Sequence, residues 1–382
     1  MKERLNLLRE FSVPLLAGVA VALVWANHAP AGYQRFLHDP ILGPLSFHFL
    51  TNDIFMVFFF GIAAVEIFQS FLPGGDLHPV KRAVNPLLAT AGGVIGPALV
   101  YLTLNQVVGS PALQRGWGIP TATDIAFAWL VARMIFGRNH PAIAFLLLLA
   151  VADDGIGLAI IVVFYPDPRY PVQPLWLLVT LAGMAAALGF RMAKVRSYWP
   201  YVLVGGGLSW AGLFHAHLHP ALALVCIVPF LPHAAKESKH LFDEDTADRS
   251  AMGRFEHEWK IVVDFGMFMF GLANAGVEFH LIGTATWLVL FSMLTGKAIG
   301  IYCMGSLGER LGYALPEKMG KKELLLVGII GGIGFTVALF VAGEAFTDQA
   351  IQDAARIGAL MSAFAALIAI AAGRLLGIRR HT

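Results

Sequence analysis

The chain has 382 residues, of which 57% are hydrophobic and only 14% are charged, and its mean hydropathy is +0.69. A soluble domain carries about a quarter charged residues, so this composition excludes an ordinary soluble globular protein. The formal net charge of +2 says little by itself, and the sequence holds no nucleic-acid-binding motif.

Apolar runs predict an all-α polytopic membrane protein in a single domain over 1–382, because a helix of about 20 apolar residues crosses a bilayer. No small-residue cleavage site follows the first ten residues, which we interpret as the start of an uncleaved first helix. Both cysteines fall within apolar runs, so no disulfide framework is expected. About twelve transmembrane helices are predicted, at roughly 12–30, 52–71, 83–104, 118–136, 142–165, 174–190, 198–214, 218–233, 258–278, 282–306, 323–345 and 354–376.

The distribution of Lys and Arg gives the orientation, since cytoplasmic loops collect these residues. With the N-terminus inside, most of the 27 Lys and Arg residues fall on the inner side. The exceptions are Lys297, within a helix, and four residues placed outside, Arg35, Arg115, Arg169 and Arg356. Both termini are therefore predicted to be cytoplasmic, with a cytoplasmic loop at about 234–257.

Three acids lie in or near the second and ninth spans. Asp53 lies at the start of the second span and Glu66 deeper in it, and we interpret both as interfacial rather than transport residues. Asp264 lies in the ninth span, and its role stays open between pairing with loop cations and a function in the membrane.

The fourth span contains the stretch GIPTATDIAFAW, in which Pro120, two threonines and Asp124 interrupt an apolar run. Proline removes a backbone donor, and Thr and Asp side chains can satisfy the freed groups. The stretch predicts a helix broken near the midplane around something polar, with a merely kinked helix as the alternative.

The fifth span carries two adjacent acids, Asp153 and Asp154, near the middle of the apolar run from Ala142 to Tyr165. An ionised carboxylate at that depth is costly, and intramembrane acids usually mark an ion or proton path. The alternative is a salt-bridged pair in a buried helix of a soluble protein.

The stretch FHAHLHPAL places His215, His217 and His219 close together. On a continuous helix, His215 and His219 would share a face and could bind a metal ion. Pro220 makes that helix doubtful, so we favour a polar turn at the outer surface, and the role of the cluster stays open.

Lys297 is the one cation deep in a predicted span, and it needs a counter-charge, for which Asp153 or Asp154 is the obvious partner. A snorkelling lysine is the alternative.

The eleventh span contains GIIGGIGFTVALF, whose glycines and Thr336 predict a second interrupted helix, with close helix packing through small residues as the alternative.

The two predicted breaks are separated by an odd number of spans, so the broken helices cross the membrane in opposite directions. Matched broken helices in two halves are typical of inverted-topology repeats that bind their substrate near the midplane. We expect the repeats at about 83–165 and 282–376.

Six motifs in order resemble an NhaA-type bacterial Na+/H+ antiporter over about 12–376, a family that is itself a standard example of inverted repeats. The motifs are TNDIFMVFFFGIAAVEI, PTATDIAFAW, ADDGIGLAIIVVFYP, FGLANAGV, LTGKAIGI and GGIGFTVALF. The resemblance implies that Asp153 and Asp154 bind Na+ or Li+ and protons at the base of a cytoplasmic funnel, and that Thr123 lends an oxygen to the cation. It also implies that Lys297 pairs with Asp153 and offsets helix C-termini, while Asp124 offsets helix N-termini.

The resemblance further suggests residues involved in a response to pH. These are Glu66, His219, Arg254, Glu256 and His257.

Function follows from the paired acids and the resemblance together. We expect exchange of Na+ or Li+ for H+ by alternating access, electrogenic with two H+ per Na+, in a bacterial cell inner membrane and serving pH and sodium homeostasis. Competition of cation and protons for the same acids couples the flows, so no cofactor is expected and the chain is not expected to be an enzyme. The partners expected are Na+, Li+, H+ and membrane lipid, with no nucleic acid.

Two other functions are weighed against exchange. A sodium-coupled organic-anion symporter of the same broad fold is the nearer alternative, whereas an aspartyl protease needs its acids on separate helices. The preference among Na+, Li+ and K+, the stoichiometry, the active pH range and a homodimer stay open.

Overall fold

The computed structural model describes residues 13–43, 45–72, 80–137, 140–166, 170–233 and 250–378. Within these residues the fold is helical apart from one antiparallel hairpin, β1 (Pro40–Leu42) and β2 (Leu45–Ser46). The sequence analysis did not predict this hairpin. Gly43, with a φ of +60°, occupies the left-handed conformation that the tight turn between the two strands requires.

Thirteen helices are labelled here in chain order. They are α1 Val13–His28, α2 Pro30–His38, α3 Phe47–Phe71, α4 Val80–Val108, α5 Ile125–Phe136, α6 Pro141–Phe164, α7 Pro174–Met192, α8 Gly207–His215, α9 Ala251–Asn274, α10 Thr284–Arg310, α11 Lys321–Gly331, α12 Thr336–Ala345 and α13 Gln349–Leu375. Tight 3₁₀ segments lie at Pro111–Thr121, Pro220–Leu222, Val228–Phe230 and Phe279–Leu281. Wider π-helical turns occur at Leu50–Phe55 in α3, at Tyr201–Gly206 before α8 and at Ser292–Gly296 in α10.

The all-α polytopic class is confirmed. The described residues contain fewer long regular helices than the twelve predicted spans. By length and composition, six helices of the described chain could cross a membrane, or up to eight if each bent pair forms one span. The predicted eighth span, 218–233, consists of turns and 3₁₀ segments closed mainly by i to i+3 hydrogen bonds. Pro220 and Pro229 lack the backbone donor that a regular helix needs, and hydropathy alone does not distinguish this buried irregular segment from a helix.

Both predicted helix breaks are confirmed. The 3₁₀ segment Pro111–Thr121 and α5 are bent by 55° across the break, and α11 and α12 are bent by 50°. The two breaks meet, because the backbone N–H of Asp124 donates to the carbonyl oxygen of Ile333 at 2.7 Å. This hydrogen bond satisfies a backbone donor that the helix break would otherwise leave unpaired inside the membrane domain.

Glycines allow α4 and α10 to pack closely beside these breaks. A Cβ atom on Gly92 would clash with the carbonyl oxygen of Gly300, and a Cβ atom on Gly96 would clash with that of Gly296. Such small residues let two helix backbones approach each other within a membrane. Lys297 begins the regular helix directly after the π-helical turn of α10, and its side chain is fully buried.

Two sequence-based boundaries need correction. The predicted loop at 234–257 ends earlier, because Ser250 caps α9 by accepting from the N–H of Gly253 at 3.1 Å, and residues 234–249 lie outside the described residues. Arg356, which is predicted to lie on the outer side, is buried in α13, 3.5 Å from the Asp353 carboxylate. Asp348 starts that helix before the predicted 354, which brings Arg356 into its second turn.

Candidate functional site

Asp124 joins the N-termini of two half-helices at the centre of the fold. Its Oδ1 atom accepts from the N–H of Phe127 in α5 at 3.0 Å, and its Oδ2 atom accepts from the N–H of Thr336 in α12 at 3.3 Å. Helix N-termini carry partial positive charge, so one carboxylate stabilises both ends. The family resemblance implies that Asp124 offsets these helix N-termini, and that role stays a prediction.

Lys297 lies near the point where the two helix breaks meet. Its ammonium donates to Asp153 Oδ2 at 2.5 Å and to Thr123 Oγ1 at 2.5 Å, and the Lys297 and Asp153 side chains are at most 1% exposed. Thr123 in turn donates to the carbonyl oxygen of Gly331, the last residue of α11, at 2.9 Å. Lys297 is therefore linked through Thr123 to a helix C-terminus, where a positive charge is favourable.

Asp154 follows Asp153 on α6 and points in another direction, since neighbouring helical residues diverge by about 100°. It lies in a crevice too narrow to hold a water molecule, whose other lining residues are Phe59, Phe60, Ala63, Leu158 and Val337. One oxygen of each acid, Oδ1, has no hydrogen-bond partner among the described residues. A buried acceptor without a partner costs about 1–3 kcal/mol, so this site favours a proton or a cation at these oxygens.

The expected pH-response residues do not form one group. Glu66 on α3 pairs with Lys260 on α9 at 3.1 Å. Glu256 on α9 accepts from the side-chain amide of Gln69 at 2.7 Å, and Arg254 and His257 lie on the same α9 segment. We call this end of α3 and α9 the Lys260 end.

His219 lies away from the Lys260 end. The three clustered histidines make separate contacts, which gives no support to a metal site formed by His215 and His219. His219 Nε2 is 3.3 Å from Glu344 Oε1, whereas His215 stacks on Trp176 and His217 on Tyr170. The described residues include no group of three or more His, Cys, Asp or Glu side chains that could hold a metal ion. α8 ends at His215, and His219 caps the separate 3₁₀ segment that begins at Pro220.

Sequence reasoning missed Glu344, although an acid near the end of the apolar eleventh span was a visible signal. It also missed the mutual side-chain hydrogen bonds between Asn52 on α3 and Asn274 on α9, at 3.2 and 2.9 Å. Asp264, whose role was left open, lies one helical turn from Lys260 and is among the acids that interact with it electrostatically.

Comparison with known proteins shows the family to which the chain belongs. The family model described as Na+/H+ antiporter 1 matches residues 5–374. The chain is 66% identical over 382 residues to the Na(+)/H(+) antiporter NhaA 1 of Pelobacter propionicus, and 64% identical over 380 residues to the Na(+)/H(+) antiporter NhaA of Geobacter sulfurreducens, with 100% of each chain covered in both comparisons. A solved structure of the sodium proton antiporter MjNhaP1 from Methanocaldococcus jannaschii covers 96% of this chain and 91% of its own, with a TM-score of 0.54 and 14% identity, which is a likeness of fold alone. The chain therefore belongs to the Na+/H+ antiporter 1 family.

Proposed function

We propose that this protein exchanges Na+ or Li+ for protons across a bacterial inner membrane by alternating access, and that Asp153 and Asp154 form the shared site. One observation carries the proposal. Two adjacent acids lie inside the membrane domain beside two broken helices, one paired with Lys297 and the other in a crevice between helices, and each has an oxygen without a hydrogen-bond partner among the described residues. Membership of the antiporter family supports the same function.

The carboxylate chemistry accounts for exchange. A hard cation such as Na+ prefers oxygen ligands, and a buried carboxylate needs either a proton or a cation to offset the cost of desolvation. Na+ at Asp154 Oδ1 therefore excludes a proton from the same atom. If only the loaded forms cross between the two access states, this competition couples the two flows.

Lys297 makes the exchange electrogenic in this proposal. A cation approaching Asp153 weakens its pair with Lys297, so the transported Na+ replaces two protons, either from both acids or from one acid and Lys297. Thr123 then becomes free to offer its hydroxyl oxygen to the cation. Two protons for one Na+ move net charge, so a membrane potential drives the cycle and permits Na+ extrusion in support of sodium and pH homeostasis.

The Lys260 end is proposed to respond to pH. Glu66, Glu256, Arg254 and His257 belong to the two helices α3 and α9, whose facing side chains make the contacts described above. A change of protonation there alters the attraction between these helices. With both termini cytoplasmic, this end faces the cytoplasm.

A vesicle assay tests the proposal. Reconstituted protein is given an imposed pH gradient, and acridine fluorescence is followed as Na+, Li+ or K+ is added. Na+ or Li+ should dissipate the gradient with the wild type and with Asp348→Asn, a control at an exposed helix cap, but not with Asp154→Asn. Near-normal exchange by Asp154→Asn, at equal protein content, would contradict the site assignment.

A further inference from the structure

The hydroxyl group of Tyr165 takes part in the backbone hydrogen bonding of the broken fourth span. Tyr165 directly follows α6 and is 1% exposed. Its Oη atom donates to the carbonyl oxygen of Arg115 at 2.5 Å and accepts from the N–H of Gly118 at 2.9 Å. In a 3₁₀ helix these two backbone groups would bond to each other, because the carbonyl of residue i accepts from the N–H of residue i+3. The hydroxyl therefore bridges the two partners of one turn within Pro111–Thr121.

This turn and the end of α6 fit each other closely. A Cβ atom on Gly118 would lie 2.6 Å from the Tyr165 hydroxyl oxygen, so a residue without a side chain is needed for this approach. In the opposite direction, the guanidinium group of Arg115 donates to the carbonyl oxygen of Pro166 at 3.3 Å. Hydrogen bonds therefore run both ways between the turn and the end of α6. We call this set of contacts the Tyr165 junction.

The fourth span leads from the Tyr165 junction directly to the proposed exchange site. Thr123 lies five residues after Gly118, and its hydroxyl contacts Lys297 and the end of α11. On the other side, Asp153 lies twelve residues before Tyr165 on α6, which corresponds to about 18 Å of helix. The fourth span and α6 are thus joined at the Tyr165 junction and again where Lys297 bridges Thr123 and Asp153.

The two connections differ in what the transported ion does to them. In the proposed exchange, Na+ weakens the pair between Lys297 and Asp153 and then binds the hydroxyl oxygen of Thr123. Thr123 has to lie at the right distance from the acids at that moment, when Lys297 no longer holds it. The Tyr165 junction involves no group that the ion displaces, so it keeps the fourth span in place relative to α6.

We propose that Tyr165 is a positioning residue for exchange, because its hydroxyl fixes Thr123 relative to the two acids of α6. This inference rests on the proposed function, in which Thr123 offers an oxygen to the cation. Without the hydroxyl, the carbonyl of Arg115 and the N–H of Gly118 can bond to each other. The turn then tightens and Thr123 moves, although both backbone groups stay paired. The competing explanation is that the hydroxyl contributes only to the stability of the fold.

The exchange kinetics of Tyr165→Phe in vesicles separate these two roles. The variant keeps the ring and loses only the hydroxyl. The Na+ concentration for half-maximal exchange should rise about threefold or more, as expected for the loss of one modest hydrogen bond. The maximal rate should stay within about twofold of the wild type, because Asp154 and Lys297 are unchanged and the loss affects the binding of the ion.

Tyr101→Phe is the matched control. Tyr101 on α4 is also fully buried, and its hydroxyl donates to the carbonyl oxygen of Leu113 in the same 3₁₀ segment at 2.8 Å. Leu113 precedes the Tyr165 junction, and α4 carries neither acid. The control therefore loses a comparable hydrogen bond but should keep the wild-type Na+ dependence. Thermal midpoints in detergent should show that Tyr165→Phe is no less stable than this control.

Three results would count against the inference. Equal Na+ dependence in Tyr165→Phe and Tyr101→Phe, or a Tyr165→Phe protein that is no longer monodisperse, would overturn the positioning role and assign the hydroxyl to stability. Wild-type exchange and its loss in Asp154→Asn are measured in the same vesicles. Failure of either would reject the proposed function, whereas a wild-type Na+ dependence of Tyr165→Phe beside them would reject the positioning role alone.

Amide hydrogen exchange of the wild type gives a test that needs no variant. The Gly118 amide should be protected, and saturating Na+ should leave that protection unchanged, because the Tyr165 junction persists when the cation displaces Lys297. Mass spectrometry of overlapping peptides reads the exchange at Gly118. Rapid exchange at this amide, or a loss of its protection when Na+ is added, would overturn the inference.

Discussion

Replacement of Asp124 by Asn should destabilise the protein more than replacement of any ordinary helix cap. Asp124 offers one oxygen to α5 and the other to α12, and both partners are N–H donors. Asn keeps one oxygen but turns an NH2 group towards the second N–H. The variant thus loses one cap and its negative charge at two helix N-termini.

The magnitude follows from these losses. One cap is worth about 1 kcal/mol, and a charge near a helix N-terminus contributes about 0.3–1 kcal/mol for each helix in ordinary settings. Asp124→Asn should therefore lower the free energy of unfolding by about 2–3 kcal/mol. Asp124→Ala, which loses both caps, should cost about 1 kcal/mol more.

Asp348→Asn is the matched control. Asp348 caps only α13, and a single oxygen, Oδ1, accepts from both Ala350 and Ile351 at 2.9 and 3.2 Å. Asn can make the same bonds, so this change should cost only a few tenths of a kcal/mol. Thermal unfolding in detergent, followed by the loss of monodisperse protein on size exclusion, ranks the variants. Equal midpoints for Asp124→Asn and Asp348→Asn would refute the double-cap reasoning.

Two further variants test the centre of the fold. Lys297→Gln removes the counter-charge of Asp153, so exchange in vesicles should weaken and its pH profile should move to more alkaline values. An unchanged pH profile would limit the role of Lys297 to packing or dipole balance. Exchange by the wild type should respond to a valinomycin-set potassium potential, and indifference to that potential would show electroneutral exchange. Gly300→Ala places a Cβ against the backbone of Gly92 and should lower the free energy of unfolding by about 1–3 kcal/mol. Gly189 has open space around it, so the control Gly189→Ala should be neutral or stabilising. Equal thermal midpoints for the two variants would contradict the close packing of α4 against α10.

The broken helices and the buried cation were predictable because their signals are local. Pro120 and Asp124 cannot continue a regular apolar helix without partners, and Lys297 deep in an apolar run demands a counter-charge. The sequence left open which of the two acids is that partner. The choice of Asp153 depends on how α6 is rotated relative to α10, which no local pattern encodes.

Other features could not be predicted for equally physical reasons. The segment 218–233 is as apolar as a helix because the protein buries it, although its prolines enforce tight turns. His219 was grouped with Glu256 by family role, while contacts across the fold place it beside Glu344. The inverted repeats, at about 83–165 and 282–376, stay a prediction.

Proton release on Na+ binding tests most directly whether the two acids are the site of competition. Purified protein in weakly buffered detergent is held at a pH where exchange is active, Na+ is added, and a pH-sensitive dye reports the protons released. The wild type and Asp348→Asn should release protons in proportion to bound Na+, approaching two for each ion, and Asp154→Asn should release none. Release of as many protons by Asp154→Asn as by the wild type would contradict the account.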